Sequence, residues 1–446
     1  MDNLWTIRNT NDVEKFVKNY RNFIDTAVTE RLAISFFEEM LKKSGFISLN
    51  EYTGVEEKVY YINASKSLIA VRIVSDPKEG FNIIASHVDS PRFDLKPNPL
   101  FEDEAIAMLK THYYGGVKLY QWYNIPLALV GVVFKADGTR IDINIGFDED
   151  DPIFLFADLL PHLDRKDEKL SEKFQGEKMN LVVGSIPLEG EEKDAVKRNV
   201  LRILKEKYNI EEEDFISADI EIVPAFKSRE VGFDRSMIAA YGQDDRICAF
   251  QSVKALIDAE NLEKSAAVIL FDREEIGSEG NAGAKARFYK KFFRKVLKIK
   301  GEKDVEFALD ELIENSFVVS ADVAALVNPN FKDVHDKLNA PKIGKGVVVV
   351  KYTGMRGKAG ASEAHAETLL HVRKVLNNAN IKWQVGTLGK IGVGGGGTVA
   401  KFLAQEGFNV IDMGPGLLSM HSPYEIVSKV DLFETYLAYK ELISKR

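Results

Sequence analysis

A chain of 446 residues, 45% hydrophobic and 29% charged, is an ordinary globular mixture long enough for two domains. Its net charge of −8 argues against nucleic acid and against an anionic membrane surface as partners. The single cysteine, Cys248, excludes an intramolecular disulfide; no apolar run nears the roughly 18 residues of a bilayer span, and the start lacks a signal-peptide pattern, so a cytoplasmic protein is expected.

Helices are predicted over 12–44, where Val13, Phe16, Val17, Tyr20 and Ile24 recur at steps of three and four, followed by Leu32, Phe36, Phe37, Met40 and Leu41. Strand-like runs follow at Lys58–Asn63, 67–74 and 80–86. Beyond Pro91 the character changes. Short β-rich runs such as Leu127–Phe134 and Arg140–Ile145 alternate with Gly-Gly, Asp-Gly and Pro punctuation. Residues 164–215 carry dense charge, beginning with Asp164-Arg165-Lys166-Asp167-Glu168-Lys169, and read as a solvated loop or surface face.

From about 235 onward apolar strands alternate with amphipathic helices. The strands are Ala266–Phe271, 316–321, 346–352 and 409–413. The helices are clearest at 245–259 and near the C-terminus, where Ile426, Val430, Phe433 and Leu437 share a face. The expected fold is therefore α/β: a central sheet flanked by helices, formed by residues 1–92 and 235–446, with a β-rich second domain inserted at 93–234.

Polar clusters follow several of these strands. His87 and Asp89 stand in Ser86-His87-Val88-Asp89-Ser90, Glu274 and Glu275 in Asp272-Arg273-Glu274-Glu275-Ile276, and Asp322 directly after Ser320-Ala321. Asp244 and Asp245 open a helix in Gln243-Asp244-Asp245-Arg246, and His421 lies in Ser419-Met420-His421-Ser422. Ligands of open α/β sheets bind outside the carboxyl ends of the strands, so these clusters are placed to converge. Two histidines with several carboxylates suit a divalent metal such as zinc. In two-metal chemistry an Asp on a tight loop can bridge the ions, while one member of a Glu-Glu pair ligates and its neighbour takes a proton.

Taken singly, each piece has an ordinary explanation. Asp-Asp before a helix serves as a cap, Glu-Glu pairs line solvated helices, and a lone histidine is often a satisfied core residue. Their conjunction and order carry the weight. Gly392-Val393-Gly394-Gly395-Gly396-Gly397-Thr398 lacks the Lys-Ser/Thr ending of a phosphate loop and reads instead as backbone able to approach a site closely.

Together with Ser90-Pro91-Arg92, Ile276-Gly277-Ser278 and Asn328-Pro329-Asn330, these clusters make the chain resemble the aspartyl aminopeptidases, co-catalytic dinuclear zinc exopeptidases. The resemblance implies two divalent ions, zinc or alternatively cobalt or manganese. His87, Asp244 and Asp322 would hold one and Asp244, Glu275 and His421 the other, with Asp244 shared. Glu274 would be general base and then proton donor, and Asp89 would fix the tautomer of His87. The inserted domain would make dimer contacts, the dimers assembling into a closed dodecameric shell. His162 would be offered to a neighbouring subunit's site.

The implied activity is removal of the N-terminal residue from peptides, with a lean to acidic residues for which Lys351, Arg356 and Lys358 are candidate contacts. The ligands alone would equally suit a co-catalytic carboxypeptidase or deacylase. A catalytically dead assembly protein on this fold is the remaining alternative.

Overall fold

The packing forms two units, each built around its own sheet. The first takes the residues up to Ser90, Ser228–Met420 and those from Tyr424 onward; the second takes Pro91–Lys227 with the short piece His421–Pro423. The structure, a computed structural model, describes residues 3–164 and 168–445. Arg165, Lys166 and Asp167 of the expected charged run lie outside the described residues.

The main sheet of the first unit has nine strands: β1 (Ile47–Ser48), β2 (Lys58–Asn63), β3 (Ser67–Arg72), β4 (Asn82–His87), β5 (Ala266–Phe271), β6 (Phe317–Ala321), β7 (Val347–Val350), β8 (Trp383–Val385) and β9 (Asn409–Gly414). Their spatial order is β1-β2-β3-β5-β4-β6-β9-β7-β8. The four central strands β5, β4, β6 and β9 run parallel, and β3 and β7 flank them antiparallel. Every residue of β4 and β5 is buried, as parallel strands covered on both faces require.

Alternate residues feed two apolar layers. Leu68, Ala70, Ile84, Val268, Leu270, Val319 and Ile411 face one side; Ile69, Val71, Ile83, Ala85, Ile269, Val318 and Val410 face the other. The first layer is covered by helices α1 (Thr10–Thr26), α2 (Glu30–Lys43), α3 (Gln243–Asp258) and, later in the chain, Ala366–Asn378 and Lys429–Ser444. Phe288–Ile299 and Val305–Glu314 cover the second. Asn9 and Thr29 cap α1 and α2 by accepting N–H groups of their first turns. Phe23 of α1 stacks on Phe250 of α3 with ring centroids 5.2 Å apart and on Phe37 of α2 at 4.8 Å. That aromatic wedge fixes α3, whose first turn carries Asp244, against the sheet.

The second unit is a seven-stranded sheet whose strands, in spatial order, are Arg140–Ile145, Leu127–Phe134, Ala218–Pro224, Arg92–Asp103, Ile106–Tyr114, Asn180–Gly184 and Leu155–Phe156. All of these neighbours pair antiparallel. Arg92–Asp103 and Ile106–Tyr114 are joined by Glu104 and Ala105, both with positive φ, as a tight hairpin turn demands.

Three local expectations change. Residues 228–234 belong to the first unit, because Arg229–Val231 pairs with Met237–Ala240 there. The charged stretch 164–215 holds a strand, Asn180–Gly184, and a helix, Ala195–Tyr208. Ile426 is not helical: it lies in strand Glu425–Ser428, and the helix begins at Lys429.

Candidate metal centre

Register places the polar clusters at one edge of the main sheet. Phe271 is level with His87, and Ser320 with Ala85, so the segments leaving β5, β4 and β6 emerge side by side. His87 ends β4, Glu274 and Glu275 form a short turn after β5, and Asp322 follows β6. Asp244 arrives from the other direction, at the start of α3, with non-helical φ and ψ of −82° and 108°. One donor atom each from His87, Asp244 and Asp322 lie within 4.8 Å of one another, and so do those of His87, Glu274 and Glu275.

His87 is buried between two carboxylates. Its Nδ1 is 3.2 Å from Asp89 Oδ1 and 3.1 Å from the Asp89 carbonyl; its Nε2 is 3.4 Å from Asp244 Oδ1. Both neighbours of Nδ1 can only accept, so Nδ1 carries the hydrogen and Nε2 is the atom left to bind a cation. Burial opposes charge on the ring, but hydrogen bonds to Asp244 and Asp89 and the charge of Asp245 outweigh it and hold His87 well above the usual histidine range.

Asp89 does more than orient one ring. Its Oδ1 accepts the Glu274 N–H at 3.1 Å and its Oδ2 the Glu275 N–H at 3.2 Å. One buried carboxylate thus fixes both the imidazole and the turn presenting the Glu-Glu pair. That turn sits between Arg273 and Gly277, both left-handed.

The remaining acids crowd together. Desolvation and then the charges of Asp245 and Asp244 push the Asp322 carboxyl well above the usual range. Burial, followed by the Asp244 charge, does the same to Asp245. Such a cluster has too much negative charge for its low-dielectric surroundings. An imidazole nitrogen and several carboxylate oxygens within one small volume are a donor set that a divalent cation relieves, and they fit zinc.

Gly414, on β9, allows this closeness. A Cβ there would meet the Asp322 carbonyl oxygen at 2.0 Å. Gly414→Ala is therefore expected to push Asp322 outward and to destabilise the metal-free protein by about 1–3 kcal/mol. Calorimetric melting with and without zinc checks this; an unchanged melt would mean the strand can yield.

The remaining expected residues divide between the two units. His421 has a positive φ and is grouped with the second unit, where its Nδ1 is 3.1 Å from the Gly116 carbonyl. A carbonyl only accepts, so that contact puts the hydrogen on Nδ1 and the lone pair on Nε2. His162 is exposed on a turn of the second unit. Lys351 follows β7, which runs antiparallel to β9. The preceding Val350 is level with Asp412, Ser320 and Ala85, so Lys351 leaves the sheet roughly 10 Å below the level of His87. Its Nζ is 3.9 Å from Glu363, which also pairs with Lys358 at 2.9 Å. The glycine-rich stretch contributes Gly395–Gly396, paired with Gly354–Met355, and Thr398 donates to Asp412 at 2.6 Å.

Residues that the sequence did not single out surround Asp244. Glu425 accepts its N–H, Ser90 donates to its carbonyl, and Arg246 is buried beneath the turn. None carries a sequence signal of its own beyond the motifs that contain Ser90 and Arg246.

Known proteins resemble this chain along nearly its whole length. Residues 23–442 match the family model described as aminopeptidase I zinc metalloprotease (M18). A probable M18 family aminopeptidase 1 from Thermotoga maritima is 58% identical over 99% of this chain and 98% of its own length. The crystal structure of an M18 family aminopeptidase from Thermotoga maritima superposes with a TM-score of 0.99 at 57% identity, covering 100% of this chain and 99% of that one. The mApe1 dodecamer of S. cerevisiae shares the fold, with a TM-score of 0.77 at 22% identity over 97% of this chain and 96% of that one.

Proposed function

The chain belongs to the M18 family of zinc metalloprotease aminopeptidases, and from that premise we propose that it removes peptide N-terminal residues with two metal ions sharing Asp244. The observation that carries the two-metal reading is that Asp244 offers a donor atom within 4.8 Å of those of His87 and Asp322 and also one within 4.8 Å of a Glu275 oxygen. In this reading His87, Asp244 and Asp322 hold one ion, while Asp244 and Glu275, joined by His421 on the family resemblance, hold the other. Zinc is the first choice, with cobalt and manganese as alternatives. Such a pair, when bound, polarises the scissile carbonyl and acidifies water toward neutral pH.

The protein's own groups do the rest. Glu274 takes a proton from the attacking water and returns it to the amine nitrogen as the C–N bond breaks. Asp89 holds the His87 ring and the main chain of Glu274 and Glu275 in one frame, so that base and ligands move together or not at all.

A second set of proposals concerns assembly and selectivity. Dimers formed through the second unit are proposed on the family resemblance, and their assembly into a dodecamer follows the state named for the S. cerevisiae protein that shares the fold. His162, exposed on that unit, is the residue proposed to serve a neighbouring subunit. Lys351 is proposed to favour acidic N-terminal residues, against the tempering effect of Glu363. Among the described residues no helix is long and apolar enough to cross a membrane. The cytoplasm is the proposed location, on the lone buried Cys248.

Elemental analysis is expected to return two divalent ions per chain, and free-amine peptides are expected to be cut while their N-acetyl counterparts are spared. One ion per chain at full activity would sink the shared-ligand reading. Cleavage of the blocked peptides would point instead to a deacylase or carboxypeptidase mode. Lys351→Ala should lower kcat/KM on aspartyl and glutamyl substrates but not on leucyl ones; an equal fall on all three would remove Lys351 from selectivity.

A further inference from the structure

Both peptide groups of Asp244 are taken by side chains from other segments. Its N–H donates to Glu425 Oε2 at 3.1 Å, and its carbonyl accepts the Ser90 hydroxyl at 2.6 Å. Ser90 and Glu425 are each 1% exposed. Ser90 belongs to the loop that carries His87 and Asp89. Glu425 begins a strand, and its own carbonyl accepts Gln243 Nε2 at 2.8 Å, while the Gln243 side-chain oxygen accepts the Tyr20 hydroxyl at 3.0 Å.

The conformation explains the need. Asp244 lies outside helical φ and ψ, so the helix ladder does not fix its peptide groups, and buried peptide groups require partners. A neutral acceptor would satisfy one amide. A buried carboxyl beside a cluster already rich in acids is a costly way to do so; at 3.1 Å the bond is of ordinary length, so its value lies in where it holds the peptide.

The geometry points to Ser90 and Glu425 as positioning residues that clamp the Asp244 peptide from both sides and thereby set its carboxylate against His87 and Asp322. This rests on the reading of Asp244 as the shared ligand. A shared ligand touches both ions, so loosening it weakens the two sites together. Removing an unshared donor such as Asp322 weakens one site first.

The test compares wild type, Ser90→Ala, Glu425→Ala and Glu425→Gln as full chains. Zinc affinity is read by competition with a chromophoric chelator, beside kcat, KM and the melting temperature of the metal-free proteins. Both zinc equivalents are expected to weaken together in Ser90→Ala and Glu425→Ala, by about 10–100-fold. Glu425→Gln, which keeps an acceptor in place, is expected to recover most of what Glu425→Ala loses. A merely structural role would lower melting temperature and leave zinc affinity alone.

Wild-type affinity for both ions in Ser90→Ala and Glu425→Ala would overturn the clamp, and so would weakening of one equivalent only. Should Glu425→Ala fail to fold, Ser90→Ala, which removes a single oxygen, decides. A wild-type protein binding fewer than two ions would overturn the shared-ligand reading and the clamp with it, so the two failures are distinguishable.

Discussion

Glu274→Gln is expected to keep its metal and to lose about 10²–10⁴-fold in kcat. The amide matches the carboxylate in shape and still offers an oxygen, but it cannot take a proton from water or return one to the leaving amine. The main chain has little reason to move, because Asp89 holds the Glu274 and Glu275 N–H groups through their backbone rather than through the substituted side chain. KM should therefore change little. Glu275→Gln is the informative contrast. As a ligand it should lose zinc along with turnover, and its activity should return in part at high zinc concentration. Metal analysis and saturation kinetics on both variants separate the roles. Wild-type kcat in Glu274→Gln would move the proton transfer elsewhere, and zinc loss in that variant would make Glu274 a ligand instead.

Much of this site is legible in sequence because parallel strands simplify the problem. Four buried strands read as short apolar runs, and the rule that ligands gather at their carboxyl ends turns a linear list into a location. His87, Glu274, Glu275 and Asp322 each stand at or just beyond the end of such a run, and register brings their segments level. Asp244 is less distinct in sequence, since Asp-Asp opening a helix is also an ordinary cap. Only the non-helical backbone at 244 and 245 distinguishes it.

What the sequence conceals is mostly the second layer of contacts. Asp89 next to a histidine suggests a ring partner, but nothing in the chain says that the same carboxylate also collects two backbone N–H groups 185 and 186 residues away. Glu425 has no local signal at all, because its role is set by a pairing between Glu425–Ser428 and Met237–Ala240. Ile426 misled for a related reason. Its spacing to Val430, Phe433 and Leu437 continues a helical face, although the cap at Ser428 ends the strand before the helix starts. In 164–215 the density of lysine and glutamate hid the helix Ala195–Tyr208, which buries only Val196 and Asn199 and needs little apolar surface.

The other large effect is expected at Gly242, two residues before Asp244. Gly242 has φ +67° and ψ 31° immediately before α3. An alanine Cβ would fall 1.6 Å from Arg246 Nη2 and 2.4 Å from its Cζ. The end of an arginine can usually swing aside, but Arg246 is 1% exposed. It donates to the Val88 and Tyr241 carbonyls, each at 3.5 Å, and its Cζ lies 5.2 Å from the centre of the Tyr241 ring. Displacing it would leave a buried cation without those partners. A left-handed alanine costs roughly 1–2 kcal/mol and overpacking about 1–3 more, so Gly242→Ala should destabilise the metal-free protein by about 2–5 kcal/mol. Val88 separates His87 from Asp89, and Tyr241 leads into the Asp244 turn, so Arg246 ties together the two loops that carry these donors. Zinc affinity should fall with stability. Urea unfolding and zinc competition on Gly242→Ala, Arg246→Ala and the double variant form a cycle in which the steric part appears as coupling. A double variant no worse than Arg246→Ala, beyond the backbone cost, is the expected result; strict additivity would mean that Arg246 does not fill the space beneath Gly242.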